Sequence, residues 1–557
     1  MTSGAVSGSG GSSDPVAAAP TAGEAVAATL VAHGVTDLFG IPGIHTLGLY
    51  DGIVKRPELR HITTRHEQGA GFAADGYARV SGRPGVACVT TGPGAFNALS
   101  AIAEAWADSS RVLLLAGQVA THELGRRSGV LHETPDQAAG YRPVTAFAGE
   151  PRTAEAIPTA VSEAFRAMAS GRWRPAYVEL PNDVLRAPVP GFMPVVHPET
   201  PHPVPAAEDV RRAAAVLRGA RRPLILLGAG VTVARAGDEL RRLAERLGAP
   251  VLPTGPAMGT LPDDHPLCGD FVSGANPAHR SLFADADVVL AAGAHLGFNS
   301  TAYWTVPLPR LIHLDIDPAA IGVRYAPEVA LVGDARATLA ALLDELGEGS
   351  PGAEAGWGAE RAARARRELR ASFHPGVERI DRAMLAARRE LPRESVVTHD
   401  AAGFNFWSAY AWPAYRPAGS LWPWGSATLG FGLPTAIGAA VALGGEVPVV
   451  AACGDGGFLF TAMELATAVA HGLPVITLVH NDGGFRSIGY HQQRYFGGRE
   501  IGVELVNPDL VAFSRSFGAQ AERVADIADL PAAVARAVAS RGPAVIEITD
   551  PLGRPWG

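Results

Sequence analysis

Residues 447–457 read Val-Pro-Val-Val-Ala-Ala-Cys-Gly-Asp-Gly-Gly, and residues 474–484 read Pro-Val-Ile-Thr-Leu-Val-His-Asn-Asp-Gly-Gly. Each is an apolar run of strand length ended by a turn signal, and the stretch between them keeps helical spacing up to His471-Gly472. Asp455 and Asn481 stand 26 residues apart, the length of a strand-helix-strand crossover. Two parallel neighbours joined in that way bring both residues to the carboxyl edge of one sheet, where open α/β sheets bind ligands. One carboxylate, one amide oxygen and nearby main-chain carbonyls make a sparse oxygen site that suits Mg²⁺ and leaves room for water and phosphate oxygens. Gly454, Gly456 and Gly457 let a diphosphate approach the main chain where the next helix begins, and amides and helix dipole there favour negative charge. An Asp-Gly pair alone is more often a plain turn. The asparagine at crossover distance is what raises it above that.

Outward from this stretch, the same alternation of apolar runs and helix-length segments fills the chain of 557 residues. Val86-Ala-Cys-Val-Thr, Val112-Leu-Leu-Leu-Ala and Ala176-Tyr-Val-Glu-Leu belong to a first unit, residues 23–187. Pro223-Leu-Ile-Leu-Leu, Ala286-Asp-Val-Val-Leu and Leu311-Ile-His-Leu-Asp belong to a second, residues 205–346, with proline-rich sequence before it. The decisive stretch lies in a third, residues 375–557, after a Gly/Glu/Ala-rich break and a charged helix, Arg361 to Arg370, expected to show solvent a charged face. Residues 1–22, rich in Gly, Ser and Ala, are expected to be a disordered leader. The expected fold is therefore α/β, three domains with parallel sheets flanked by helices. The turn Gly228-Ala-Gly230 in the second unit lacks the third glycine of a dinucleotide fingerprint.

Composition removes several chemistries. Of 47 basic residues only Lys55 is a lysine, and it follows Val54, so no Gly-Lys-Ser/Thr phosphate loop can be written. A Schiff-base mechanism would have to use Lys55, which sits in a polar, loop-like stretch. The net charge of −8 speaks against a nucleic-acid partner. Three scattered cysteines, Cys88, Cys268 and Cys453, suit neither a disulfide framework nor a zinc site and point to a reducing compartment. Without a secretion signal or a membrane-length apolar run, a cytoplasmic location is expected.

The Gly-Asp-Gly and Asn pattern resembles the thiamine diphosphate enzymes, and the span from about residue 22 to 550 is similar to the acetolactate synthase family of that group. The resemblance implies pyrimidine-binding, central Rossmann-like and diphosphate-binding domains, and an Mg²⁺ held by Asp455, Asn481 and the carbonyl of Gly483. Thr64-Arg-His-Glu67-Gln-Gly-Ala-Gly-Phe-Ala-Ala-Asp-Gly-Tyr-Ala-Arg79 resembles the family's segment around its catalytic glutamate. Glu67 is thereby implied to hydrogen-bond the cofactor's aminopyrimidine. Ala70, Phe72, Ala73 and Tyr77 are expected to form a helix face that buries this carboxylate and raises its pKa. Gly425-Ser-Ala-Thr-Leu429-Gly-Phe-Gly-Leu-Pro434 is similar to the loop that keeps the cofactor bent, with Leu429 as the wedge and Ala427 giving a main-chain carbonyl where relatives commonly have glycine.

Phe39-Gly-Ile-Pro-Gly43-Ile-His45 and Leu124-Gly-Arg-Arg-Ser-Gly-Val-Leu-His132-Glu133-Thr-Pro-Asp136-Gln137 look like the branch containing 5-guanidino-2-oxopentanoate decarboxylase. Gly43 is carried over with the cofactor-binding residues. Two segments depart from acetolactate synthases, Asp400-Ala-Ala-Gly-Phe-Asn-Phe-Trp407 and Ala292-Gly-Ala-His-Leu-Gly-Phe-Asn299, the latter without the arginine pattern associated with FAD. Thiamine diphosphate and Mg²⁺ are the implied cofactors; the second departure speaks against FAD and leaves its binding open.

The implied reaction decarboxylates a 2-oxo acid to an enamine, which is then protonated to an aldehyde or attacks a second carbonyl compound. A 2-hydroxyacyl-CoA lyase, or a non-catalytic cofactor-binding protein on the same scaffold, stay open beside it. Candidate substrate contacts are His45, His132, Glu133, Phe485, His491 and Gln492, with Glu133 or Asp136 as partner of any cationic substrate tail. The family also implies a homodimer or homotetramer with sites between subunits. No membrane partner is expected.

Overall fold

The computed structural model describes residues 19–198, 202–348, 352–373 and 377–552. The expected leader falls outside them up to residue 18, whereas Thr21 and Ala22 belong to the fold. Thr21 caps the helix Ala22–Ala32 in a reciprocal box with Glu24. Three parallel sheets succeed one another along the chain.

The first sheet is built from β1 (Asp37–Gly40), β2 (Arg60–Thr63), β3 (Gly85–Val89), β4 (Val112–Gln118), β5 (Phe147–Gly149) and β6 (Ala176–Pro181), in the order β2-β1-β3-β4-β6-β5. The second contains β7 (Pro223–Leu227), β8 (Val251–Pro253), β9 (Val288–Ala292), β10 (Leu311–Asp315) and β11 (Val329–Val332), in the order β11-β10-β9-β7-β8. The third contains β12 (Val396–His399), β13 (Ser420–Leu421), β14 (Val449–Gly454), β15 (Val475–His480), β16 (Gln520–Val524) and β17 (Ala544–Ile548), in the order β13-β12-β14-β15-β17-β16. The inner strands β3, β4, β14 and β15 are buried at every residue. Helices cover both faces of a parallel sheet, which is why these strands read as unbroken apolar runs.

The first and third units share one core. The helix Glu67–Ser81 of the first lies against the helix Gly432–Ala442 of the third, and Phe72 meets Phe431 edge to face. The helices approach so closely that a Cβ on Gly76 would fall 2.2 Å from the carbonyl oxygen of Thr435, and one on Gly438 1.8 Å from that of Ala73. Only glycine admits that crossing.

The charged helix, Ala359–Ala371, is not uniformly solvated as expected. Arg361 is buried and pairs with Asp285 at 3.0 Å. Lys55 is exposed and bridges Glu24 and Asp51. Among the described residues no helix is long and apolar enough to cross a membrane.

Candidate active site

Asp455 and Asn481 come directly after the paired parallel strands β14 and β15, in which Gly454 faces His480. The crossover offset therefore brings them to one edge. Asn507, which the sequence pattern did not single out, joins them: its Nδ2 donates to Asp455 Oδ2 at 2.6 Å and to Asn481 Oδ1 at 2.9 Å. Two oxygens thus converge on one donor group. Behind them, Asn481 Nδ2 donates to Oε1 of the buried Glu547 at 2.7 Å, and Arg523 holds the other oxygen of Glu547 at 2.7 Å. That bond fixes the amide of Asn481 with its oxygen toward Asp455.

The carbonyl of Gly483 accepts from Leu505 N at 2.9 Å and from Arg486 at 3.2 Å. A metal ion there has to displace one of these donors. The Phe485 ring lies over Gly456, where a Cβ would come within 2.4 Å of it. Asp400 sits beneath Gly457 with its carboxylate on the N–H of Gly430 at 3.1 Å, and burial pushes its pKa up to about 6.

Leu429, the implied wedge, is half-buried, and Ala427 is exposed with φ +53°. That left-handed conformation is easier for glycine, which accounts for the glycine common at this place in the resembling family.

Glu67 opens its helix after β2, and its Oε2 accepts from Asn97 at 3.0 Å. The expected shelter is not there. Ala70, Phe72, Ala73 and Tyr77 are buried in the core shared by the first and third units, and Glu67 itself stays half-exposed. These apolar positions serve helix packing, leaving the carboxylate at the helix start. Among the described residues, no contact joins Glu67 to Asp455 or Asn481.

His45 and His132 meet at the edge of the first sheet, ring centroids 5.4 Å apart. Each keeps a buried Nδ1 without a hydrogen-bond partner, and burial, then the neighbouring His132, holds the pKa of His45 below the usual histidine value. Gly43 packs onto Thr90 close by. Gln137, buried, accepts from Gly92 N and Thr91 Oγ1 and so fixes the turn on which these residues converge.

Other candidates are committed elsewhere. Asp136 is paired with Arg142 at 3.0 Å, so it is not a free partner for a cationic tail. One oxygen of Glu133 takes the N–H of Gly129 at 2.7 Å. The amide of Gln492 is spent on both main-chain groups of Ile501, at 3.1 and 2.9 Å, and His491 is exposed beside Tyr495. Phe485 is the one residue of that trio that lies on the Asp455 edge.

A cavity of about 620 Å³ opens where β7, β9 and β10 end in the central unit. Gly228, Gly230, His295 and Phe298 line it, and Arg172 and Arg174 enter from the first unit. The segment without the flavin-associated arginine forms one of its walls.

Three family models match the chain in order: the thiamine pyrophosphate enzyme N-terminal TPP binding domain over residues 20–139, the central domain over 210–342 and the C-terminal TPP binding domain over 400–548. The chain belongs to the thiamine pyrophosphate enzymes. A thiamine pyrophosphate enzyme with two cofactor-binding domains accounts for the two residue-bearing edges, one on the first sheet and one on the third. The chain is 38% identical to the "Probable 2-ketoarginine decarboxylase AruI" of Pseudomonas aeruginosa, over 96% of this chain and 95% of that protein. It is 33% identical to a probable acetolactate synthase large subunit of Methanocaldococcus jannaschii, over 95% and 92%. With the acetolactate synthase of Bacillus subtilis it shares 32% over 94% and 92%.

Proposed function

We propose that this thiamine pyrophosphate enzyme decarboxylates a 2-oxo acid and releases an aldehyde. The observation that carries the reading is the convergence of Asp455 Oδ2 and Asn481 Oδ1 on a single point, held now by the Asn507 amide at 2.6 and 2.9 Å. Oxygen donors of that kind fit Mg²⁺, and among the described residues no cluster of His, Cys, Asp and Glu offers another metal a richer site. Asp455, Asn481 and the Gly483 carbonyl would hold the ion. Gly456 and Gly457 are buried and make room for the Phe485 ring and the Asp400 carboxylate, so the diphosphate would meet the start of the helix Asp455–Thr461 through its main-chain amides and not through an open glycine surface.

Bound thiamine diphosphate supplies the nucleophilic carbon and the electron sink. The chain supplies placement and protons. Glu67 would hold a proton at the aminopyrimidine, Leu429 and the Ala427 carbonyl would seat the two rings, and Phe485 would wall the diphosphate side. The His45–His132 pair, with its two unpartnered nitrogens, stands ready to move a proton to the product carbon, which favours protonation over attack on a second carbonyl. Glu133 remains the candidate partner for a cationic tail such as that of 2-ketoarginine. Decarboxylation and protonation are together redox-neutral, so the reaction requires no flavin.

A second copy of the chain completes the site in this reading, Glu67 of one subunit facing Asp455 of the other. Apolar side chains stand exposed at both edges: Ile44, Leu47, Phe96 and Leu131 on the first, Phe460, Ile488 and Val506 on the third. Two such edges cover each other twice in a twofold dimer. A cytoplasmic setting is part of the proposal and is supported by three cysteines that are all free and buried.

The test incubates the purified protein with thiamine diphosphate, Mg²⁺ and a panel of 2-oxo acids from pyruvate to 2-ketoarginine, with and without an aldehyde acceptor. CO₂ and product masses are measured. An aldehyde one carbon shorter than its donor is expected. A 2-hydroxy ketone or acetolactate as the main product would replace the reading with carboligation, and no CO₂ from any donor would remove it.

A further inference from the structure

Two carboxylates with no part in the proposed chemistry are wholly buried, and each reaches across from one domain to the main chain of another. Glu464, on the turn Ala462–Glu464 of the third unit, accepts at Oε1 from the N–H groups of Arg65 and His66, both at 3.0 Å. Its Oε2 accepts from Arg65 N at 3.2 Å and from Thr467 Oγ1 at 2.6 Å. Glu104, on the helix Pro93–Ala107 of the first unit, accepts at Oε1 from Ser426 N at 3.2 Å. Its Oε2 accepts from Thr428 N at 3.2 Å and Thr428 Oγ1 at 2.6 Å.

The targets are not arbitrary main chain. Arg65 and His66 directly precede Glu67. Ser426 and Thr428 flank Ala427, and Thr428 directly precedes Leu429. The helix of Glu67 is also cut to admit its clamp, because a Cβ on Gly69 would fall 2.2 Å from Glu464 Oε1.

A buried carboxylate is a poor way merely to join two domains. Apolar side chains of the same size would do so without the cost of desolvating a charge, and burial does hold the pKa of Glu464 above the usual carboxylate value against the pull of its donors. What a carboxylate gives in exchange is direction. Charge-assisted bonds to N–H groups fix main-chain atoms, not the tip of a mobile side chain.

We propose that Glu464 and Glu104 are positioning residues, each fixing from the opposite domain the main chain that carries one wall of the site, Glu67 in the first case and Leu429 in the second. This rests on the roles proposed for Glu67 and Leu429.

The test uses full-length Glu464→Ala, Glu464→Gln, Glu104→Ala and Glu104→Gln, with amide hydrogen exchange read by mass spectrometry in the absence of cofactor and kinetics in its presence. Loss of a charge-assisted bond should speed exchange at Arg65 and His66 by about tenfold or more in Glu464→Ala and leave residues 426–428 unchanged. Glu104→Ala should show the reverse. Both should lower kcat by roughly tenfold or more with little change in KM, since the reacting groups are misplaced and substrate binding is not. Glu464→Gln keeps an acceptor oxygen and should recover part of the loss; if the alanine variants do not fold, Glu464→Gln and Glu104→Gln carry the comparison, each expected to speed exchange severalfold over wild type at its own segment only.

Faster exchange in both segments of either variant would reduce the clamps to interface packing. Local exchange changes with unaltered kcat would overturn the positioning role. An active Glu67→Gln enzyme would instead remove the site assignment while leaving the exchange pattern in place.

Discussion

The first and third sheets have one strand order, β2-β1-β3-β4-β6-β5 and β13-β12-β14-β15-β17-β16, and the central sheet has another. Strand for strand the two outer sheets follow a single design, so a difference in their chemistry cannot come from topology. It comes from the residues just past the strand ends. The first edge presents His45 after β1 and Glu67 after β2, side chains of the kind that can exchange protons. The third presents Asp455 after β14 and Asn481 after β15, oxygens of the kind that hold a hard cation. Fold supplies the place, and a few edge residues supply the function.

The sharpest way to break that contrast is to disable each edge in turn. Glu67→Gln should leave the affinity for thiamine diphosphate and Mg²⁺ intact and lower turnover by about 10²–10⁴, the range for a lost acid-base group. Undiminished CO₂ release would cancel its role. Asp455→Ala should do the opposite. Mg²⁺-dependent retention of the cofactor, followed by calorimetry, should weaken by at least roughly 100-fold, since one of the two proposed side-chain ligands is gone. Mixing the two inactive variants then joins the edges again. If each site spans two subunits, randomly exchanged dimers regain about one quarter of the wild-type sites, because every mixed dimer rebuilds one site from two intact edges. No recovery would place both edges of a site in one chain.

The third edge is the more legible in sequence, and the reason is distance along the chain. Asp455 and Asn481 are tied by one crossover, whose length can be counted. Strands buried on both faces announce themselves as apolar runs. Glu67 can be named only through a resembling segment, and its surroundings differ from expectation because apolar spacing on a helix shows that a face is buried and not what buries it. The helix Gly432–Ala442 is more than 350 residues away. Glu464 and Arg65 are 399 residues apart, and no local pattern connects them. Gln492 and Asp136 enter the substrate set for the converse reason, because the Ile501 and Arg142 contacts that already occupy them run through loops without periodicity.

A smaller effect probes the support behind the third edge. Glu547 touches Asn481 and not the Asp455 oxygens, so Glu547→Gln should keep the fold and cost about tenfold in Mg²⁺ affinity, as outer-shell partners typically do. Its glutamine can present N–H to N–H and turn the Asn481 amide. Unchanged affinity would show that the amide needs no such partner.

The smallest effect separates histidines on the two like scaffolds. His399 ends β12 with both ring nitrogens taken up, at 2.7 Å by Ser408 and 3.0 Å by Ser420, and burial alone drives its pKa far down. His45, after the corresponding β1, keeps Nδ1 unpartnered, and its lowered pKa has burial as the larger cause and His132 as the second. His132→Asn removes the second cause only. The pKa of His45 should therefore rise toward its ordinary value by less than about one unit, while His399 stays neutral throughout; both can be followed by NMR of the labelled ring carbons. Between the lowered pKa of His45 and about 6.5 the unfolded chain binds more protons than the folded one, so stability is lost as pH falls through that window, and the loss should shrink in His132→Asn. An unmoved His45 titration would mean that the two rings are neighbours without sharing charge, and the proton-moving pair at the first edge would reduce to a single histidine.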